Sequence, residues 1–448
     1  MVRALMIGAP YSGSGKTTLV AGLLHALVQQ GYQVQSFKVG PDYIDPSYHS
    51  LITGRPCRNL DLFLMNEEAV KASFFHNSRG ADFSIIEGVM GLFDGMSYSD
   101  FGSTAHIARI LSIPVLLVWP CRGLAHTIIP LLKGLSSYDP ELNIAGIILN
   151  QVNSEQHFQQ MKELIEAETR IKVIGSIGKK KEFQLNERHL GLVPAVENQD
   201  YLARTAKVGE YLRKHLDWET LFSVFGKCNE EVLKFPEAGI DFSDLIIAYA
   251  FDEAFNFYYQ DALDLLTKWG VKLVKTSPLH DEHLPENIDG LIIGGGFPEL
   301  FIELLKENRN YIASLIAHHQ AGMPIYAECG GYMYLAMVNI IPASVVMQER
   351  LVALGYYQGI TLNDSIIGPV NTLVKGHQFH YSELIPLDKQ YPWAASLHKP
   401  NRHSTAVLDG YAQNNIFASY LHIHWGGQPD IAYNFLSSCL NWQRRRVK

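Results

Sequence analysis

The chain has 448 residues, more than one hydrophobic core usually organises, so two domains are expected. Hydrophobic residues at 47% and charged residues at 18% describe an ordinary globular protein, and no apolar run approaches the roughly 20 residues that cross a bilayer, so no membrane partner is expected. The formal net charge of −8 leaves no electrostatic footprint for nucleic acid, and the basic cluster Arg444-Arg445-Arg446-Val447-Lys448 reads as a solvated tail.

The start, Met1 to Gly8, passes directly into a phosphate-loop strand without room for a signal peptide and its cleavage site, and a cytoplasmic location is expected. Cys57, Cys121, Cys228, Cys329 and Cys439 form no CxxC pair, which argues against a zinc site or a disulfide framework and fits a reducing compartment. Short β-branched runs at Arg3–Gly8, Gln33–Lys38, Phe83–Glu87, Pro114–Trp119 and Ile144–Asn150 alternate with helical stretches, a pattern that predicts a parallel sheet covered by helices. The pattern weakens between Leu216 and Phe242, where Gly226, Pro236 and Gly239 interrupt a polar stretch. This divides the chain into a domain over 1–225, a linker over 226–242 and a domain over 243–448. The second α/β series runs through Leu245–Tyr249, Val271–Val274, Leu291–Ile293 and Pro324–Ala327, and the segment from Val352 to Tyr420 predicts mixed or antiparallel strands.

Gly13-Ser14-Gly15-Lys16-Thr17 follows an apolar strand and precedes a helical pattern from Leu19 to Gln30, the context that a phosphate loop requires. Backbone N–H groups and the helix N-terminus attract phosphate oxygens, Lys16 adds a point charge, and the Thr17 hydroxyl is a magnesium ligand candidate. Pro10 stands in place of the first consensus glycine, and Tyr11 stands where partition-type ATPases carry an extra lysine. Glu87 ends a buried strand at the position from which an acid reaches magnesium, a capping or ion-paired role being the plainer alternative. Gly40-Pro41-Asp42-Tyr43-Ile44-Asp45-Pro46 sets two acids on a proline-stiffened loop fit to hold a second substrate, or to make a surface turn.

Pro324-Ile325-Tyr326-Ala327-Glu328-Cys329-Gly330-Gly331 is an apolar strand running into a cysteine and two glycines, and such a turn lifts a nucleophile clear of a sheet. Its base is sought in Ala418–Trp425, read as a strand whose alternation sends His422 and His424 to one face, so that either can approach the sulfur. Gly294-Gly295-Gly296 ends another strand, and the N–H groups of Gly295 and Gly330 are the candidate donors to an oxyanion.

Ala9–Thr17, Lys38–Pro46, Glu87–Gly95, Ala254–Tyr259, Gly294–Glu299, Glu328–Gly331 and Phe379–Ser382, taken in this order, resemble the cobyrinic acid a,c-diamide synthase family of glutamine-dependent corrin amidases over essentially the whole length. The resemblance implies a dethiobiotin-synthetase-like P-loop domain followed by a class I glutamine amidotransferase domain. Cys329 would then attack glutamine with His422 as its base and His424 as second choice, releasing ammonia. Gly13, Ser14, Gly15, Lys16, Thr17 and Thr18 would hold ATP, with Thr17 and Glu87 on Mg2+, and Asp42, Tyr43, Asp45 and Asp94 would organise the macrocycle carboxylate and an acyl phosphate. The a- and c-acetates of cobyrinic acid would be the acceptors, with nickel-sirohydrochlorin and hydrogenobyrinic acid as alternatives and the homodimer left open. Cobyric acid synthase continues Tyr-Leu-His with Gly, whereas Ile423-His424 follows here. Gln378 and Phe297 depart from the usual Glu and Tyr of the family. A reading of another class is a P-loop ATPase switch with a vestigial amidotransferase domain, against which Tyr11 and the intact Cys329 and His422 count.

Overall fold

The structure is a computed structural model that describes residues 1–178, 180, 183, 199–229, 233, 235–401 and 404–446. It divides into one unit of Met1–Leu62 with Asn66–Lys234 and a second of Phe63–Met65 with Phe235–Lys448.

The first unit is built on β1 (Val2–Gly8), β2 (Val34–Val39), β3 (Arg58–Leu60), β4 (Phe83–Glu87), β5 (Val115–Pro120), β6 (Ile144–Val152), β7 (Lys172–Gly178) and β8 (Gly226–Cys228). The spatial order is β3-β2-β4-β1-β5-β6-β7, all parallel, with β8 added antiparallel to β1. β2, β4 and β5 are buried along their whole length, and β5 accordingly reads as a continuous apolar run, while β2 carries Gln35, Ser36 and Lys38 into the interior. Leu5, Ile7, Leu23, Ile85, Val118 and Ile148 belong to one core cluster between the sheet and its helices. Gly226–Cys228 lie in the stretch expected to be linker; three residues are too few for periodicity to reveal a strand. Residues 230–232 and 234 of that expected linker lie outside the described residues.

The second unit contains β9 (Ile246–Ala250), β10 (Lys272–Thr276), β11 (Gly290–Ile293), β12 (Ile325–Glu328), β13 (Ala343–Met347), β14 (Ala353–Thr361), β15 (Leu373–His380), β16 (Ser382–Pro386), β17 (Trp393–His398), β18 (Val407–Gln413) and β19 (Ile416–Ser419). A nine-stranded sheet runs β10-β9-β11-β12-β19-β18-β17-β14-β15, parallel as far as β19 and antiparallel beyond it, while β13 and β16 pair apart. β19 thus slots against β12, with Ala327 opposite Ala418 and Glu328 opposite Ser419. The last helix, Pro429–Arg446, packs Ile431, Phe435 and Leu436 into the core. Arg444 and Arg445 are exposed, as the solvated-tail reading expects, while Arg446 also reaches back 3.0 Å to Asp289, itself 1% exposed, and donates to the Ile288 carbonyl. A long guanidinium stem on a terminal turn can cover such a distance without moving the helix. Val447 and Lys448 lie outside the described residues. Among the described residues no helix is long and apolar enough to cross a membrane.

Candidate functional sites

In the first unit the turn after β1 depends on two glycines in the left-handed region, Gly13 at φ 76° and Gly15 at φ 94°. Gly15 caps the helix Lys16–Gln29, which therefore starts three residues before the apolar pattern announces it. A side chain at Gly15 would also meet Asn150 Nδ2 at 2.2 Å, and that amide donates to the Ser14 carbonyl at 2.8 Å, tying the loop to β6. The hydroxyl of Ser14, a fully buried residue, donates to the Tyr11 carbonyl at 2.7 Å. Lys16 and Thr17 open the helix with Thr18 behind them, where unpaired N–H groups and the helix dipole favour an anion. Burial lowers the Lys16 ammonium from its usual range despite Glu87, and it donates to the Met90 carbonyl at 2.5 Å.

The carboxylates converge beneath this loop. Thr17 Oγ1 donates to Glu87 Oε1 at 2.7 Å and lies 3.4 Å from Asp45 Oδ2. Lys38, the penultimate residue of β2, places Nζ 2.6 Å from Asp45, 2.8 Å from Glu87 and 3.8 Å from Asp42. His49 Nε2 lies 3.1 Å from the other Glu87 oxygen, and its Nδ1 lies 3.9 Å from Cys57 Sγ. Burial alone would push Glu87 up, but Lys38 and His49 hold it well below the usual carboxylate range. Burial opposes charge on His49 as well, yet Cys57 and Glu87 raise it to about 10. Asp45 goes the other way, to about 7, because burial outweighs the Lys38 charge. Asp42 instead caps the next helix, accepting from Ile44 and Asp45 N–H groups, with Tyr43 at the helix N-cap. Asp94 is exposed in the loop after β4 and accepts from Gly91 N–H at 2.9 Å. Lys38 and His49 escaped sequence reasoning; a lysine inside an otherwise buried strand was the available signal, since it demands counter-charges.

A magnesium ion prefers hard oxygen donors and commonly keeps water and phosphate oxygens in its shell. The hydroxyl of Thr17 with the Glu87 and Asp45 carboxylates supplies such donors within a few ångströms. The described residues hold no cluster of three or more His, Cys, Asp or Glu fit to cage an ion alone, so phosphate oxygens would complete the shell.

In the second unit Cys329 stands between β12 and the helix Gly330–Met337 with φ 47° and ψ −104°, a strained position for a residue with a side chain. Its N–H donates to the Ser419 carbonyl at 2.8 Å, and its own carbonyl accepts from Met333 N–H at 3.0 Å, so strand and helix both hold the turn. A Cβ at Gly331 would sit 2.3 Å from the Ile293 carbonyl oxygen, which is why glycine stands there. Gly330 comes against Gly296, and Gly295 against the His422 ring, where a Cβ would meet Cε1 at 2.4 Å. Gly295 and Gly330, the two expected oxyanion donors, therefore border the same turn as the thiol.

β19 ends at Ser419, so alternation does not extend through His424 as expected; the next pairing is an isolated bridge between His422 and His377. Leu421 N–H turns inward to the Ser419 hydroxyl instead of continuing a ladder. His422, 3% exposed, lies beside Cys329, with its Nδ1 3.5 Å from Glu328 Oε2. Burial disfavours its charge, but Cys329 and Glu328 raise it to about 10. His424 lies elsewhere, its ring 4.7 Å from that of Tyr259 and its Nδ1 accepting from Gly427 N–H, and burial lowers it. Burial likewise holds His377 down at about 3 and His380 at about 4, with the His422 charge adding to both effects. Phe297, the departure in the glycine segment, packs edge-on against Phe257, and Gln378 is buried in hydrogen-bonding contact with Asp409.

A thiol beside an imidazole that takes its proton is a nucleophile for acyl carbon, and a glycine-lined phosphate loop above a carboxylate cluster is a site for a nucleoside triphosphate. The pattern of the CobQ/CobB/MinD/ParA nucleotide binding domain family matches residues 5–193, and that of the CobB/CobQ-like glutamine amidotransferase domain family matches residues 246–430. The chain is 38% identical over 457 residues to the cobyrinate a,c-diamide synthase of Caldanaerobacter subterraneus subsp. tengcongensis, covering 99% of this chain and 100% of that one. It is 39% identical over 464 residues to the protein of the same name from Synechocystis, covering 98% of this chain and 94% of the relative. A third such protein, from Listeria monocytogenes, is 41% identical over 438 residues and covers 94% and 96%.

Proposed function

This chain belongs to the cobyrinate a,c-diamide synthase family, and from that premise we propose that it amidates the a- and c-acetate carboxylates of cobyrinic acid using ATP and glutamine. The observation that carries the reading is the presence in one chain of a thiol–imidazole pair at Cys329 and His422 and a phosphate loop backed by Thr17, Lys38, Asp45 and Glu87.

At the thiol site the Cys329 sulfur attacks the glutamine carboxamide carbon, the C–N bond breaks, and His422 passes the thiol proton to the departing nitrogen. Ammonia leaves, and water hydrolyses the glutamyl thioester to glutamate and free thiol. The N–H groups of Gly295 and Gly330 are the donors to the transient oxyanion. At the nucleotide site a carboxylate oxygen of the macrocycle takes the γ-phosphoryl group of ATP, releasing ADP, because a free carboxylate is too poor an electrophile for an amine. Ammonia then adds to the acyl carbon, the C–O bond to phosphate breaks, and an amide remains. Lys16 neutralises charge on the transferring group, and Gly13 to Thr18 hold the phosphates with their N–H groups. Mg2+ would be held by oxygens of Thr17 and Glu87, where it screens phosphate charge. Asp42, Tyr43, Asp45 and Asp94 orient the acceptor carboxylate, and Lys38 holds Asp45 and Glu87 in place.

The test is product mass after incubation with ATP, magnesium, glutamine and, separately, cobyrinate, hydrogenobyrinate or nickel-sirohydrochlorin. Two amidations of cobyrinate are expected; no amidation of it, with turnover of another macrocycle, overturns the substrate assignment. Cys329→Ser should abolish the glutamine-dependent reaction and leave the ammonia-dependent one, and equal loss of both would refute separate sites. Lys16→Ala should remove ATP-driven amidation and spare glutamine hydrolysis.

A further inference from the structure

We propose that Glu328, the residue immediately before the nucleophile, is the positioning residue of the thiol site: its carboxylate fixes the tautomer and tilt of His422. This rests on the reading of Cys329 and His422 as the glutamine-hydrolysing pair.

The carboxylate divides its two oxygens between two tasks. Oε1 accepts from the Tyr326 hydroxyl at 2.5 Å and from the Ile423 N–H at 2.9 Å. Those donors come from β12 itself and from the residue after His422, so the carboxyl plane is clamped from both sides of the site. Oε2 is left toward His422 Nδ1, 3.5 Å away. With Nδ1–H directed at a carboxylate, the other ring nitrogen, Nε2, carries the lone pair that receives the thiol proton. An imidazole oriented by a buried acid is the recurring arrangement of nucleophilic hydrolases, recognised by geometry rather than by position in the chain.

Adjacent residues of an extended strand point to opposite faces, so Glu328 and Cys329 should not both reach one ring. The left-handed φ of 47° at Cys329 breaks the alternation, allowing carboxylate and sulfur to meet the same imidazole from neighbouring positions. The strain at the turn thus serves the base as well as the nucleophile. Other groups around His422 do not duplicate the role. His377 and His380 face it from β15 and are neutral, and Asp409 is engaged by Ser419 and Gln378. The Glu328 side chain is only 10% exposed, so solvent screens its charge little.

The decisive comparison is Glu328→Gln, Glu328→Asp, His422→Ala and the double variant Glu328→Gln/His422→Ala in the full-length protein, assayed for glutamine hydrolysis across pH and for ammonia-dependent amidation. Glu328→Gln should lower kcat for glutamine hydrolysis about 10²-fold or more with KM nearly unchanged, and should leave ammonia-dependent amidation at the wild-type rate. Cys329 and, after it, Glu328 raise the imidazole pKa, so losing the carboxylate should move the alkaline limb of the kcat profile to lower pH; Glu328→Asp, which keeps the charge, should hold the limb near wild type with a smaller loss. The double variant should be no worse than His422→Ala alone, because Glu328 acts through that ring. An additive double variant, an unshifted limb in Glu328→Gln, or parallel loss of ammonia-dependent amidation overturns the proposal. If Glu328→Gln fails to fold, the Glu328→Asp profile decides it: a limb displaced as far as one unit downward refutes the charge-dependent role. Failure of the underlying reading shows differently, as persistent glutamine hydrolysis in Cys329→Ser.

Discussion

Replacing Lys38 by methionine tests whether the carboxylates under the phosphate loop depend on one ammonium. The side chain is similar in length and can keep its packing within β2, where Lys38 is 6% exposed, so the perturbation is chiefly the lost charge. What remains is Glu87, fully buried, and Asp45, 15% exposed in its side chain, without the cation 2.8 and 2.6 Å from them. Removing one partner from a buried ion pair costs about 3–5 kcal/mol, well above the value of an exposed pair. The cost should depend on pH. Without Lys38, Asp45 holds its proton to still higher pH in the folded chain than in the unfolded one, while His49 stays beside Glu87, so the penalty at Asp45 is full above its folded pKa and fades as pH falls through it. Asp45 already stands at about 7 in the presence of Lys38, which places the window around and above neutrality. Urea unfolding by circular dichroism at pH 6 and pH 8, following the transition that ATP shifts, measures both quantities. Lys38→Met should lose most stability at pH 8 and recover part at pH 6, and Lys38→Met/Glu87→Gln should be more stable than the single variant at pH 8. A single variant within about 1 kcal/mol of wild type at pH 8, or a penalty independent of pH, would refute the reasoning.

Other changes separate the two sites. Gly15→Ala puts a Cβ 2.2 Å from Asn150 Nδ2 at φ 94°, and ATP-driven amidation should fall at least about 10²-fold while glutamine hydrolysis persists; initial rates with each nitrogen source decide it. Gly331→Ala drives a Cβ to 2.3 Å from the Ile293 carbonyl, so the helix must shift at a cost of about 1–3 kcal/mol, and glutamine hydrolysis should suffer more than ammonia-dependent amidation. Burial holds His380 neutral with a pKa of about 4. Its stabilisation is complete above the unfolded value near 6.5 and is lost as pH falls through 4, on the order of 3 kcal/mol in all. His380→Gln should therefore flatten the acid side of the stability curve, as measured by urea midpoints between pH 7 and 4; an unchanged slope would exclude His380 as its source.

Both sheets were legible because their parallel strands are buried on two faces and read as short, largely apolar runs, as in Val115–Pro120 and Ile325–Glu328. The turns were legible too, since Gly-Ser-Gly-Lys-Thr and Glu-Cys-Gly-Gly leave few alternatives for a strand that must swing into a helix. What escaped was long-range. Lys38 stands at the end of the expected run Gln33–Lys38, and its partners arrive from elsewhere, Asp45 from the first turn of a helix and Glu87 from the end of β4. His422 and His424 looked equivalent by alternation, and only the end of β19 at Ser419 distinguishes them. Glu328 read as the plain end of a strand because its partners lie far along the chain, the bond from Ile423, next to His422, spanning 95 positions. The three-residue β8 is set by its neighbour β1 rather than by its own side chains.

The insertion of β19 between β12 and β18 has a consequence for protein synthesis. The sulfur leaves the ribosome on β12, but its imidazole arrives only after the whole antiparallel stretch β13–β18 has been translated and folded back. Every nascent or truncated product ending before His422 carries Cys329 without the imidazole proposed to accept its proton. On the proposed Cys329–His422 pairing, such fragments would spare glutamine, and a single proteolytic cut that frees the C-terminal segment would silence nitrogen release while leaving the strand that bears the sulfur intact.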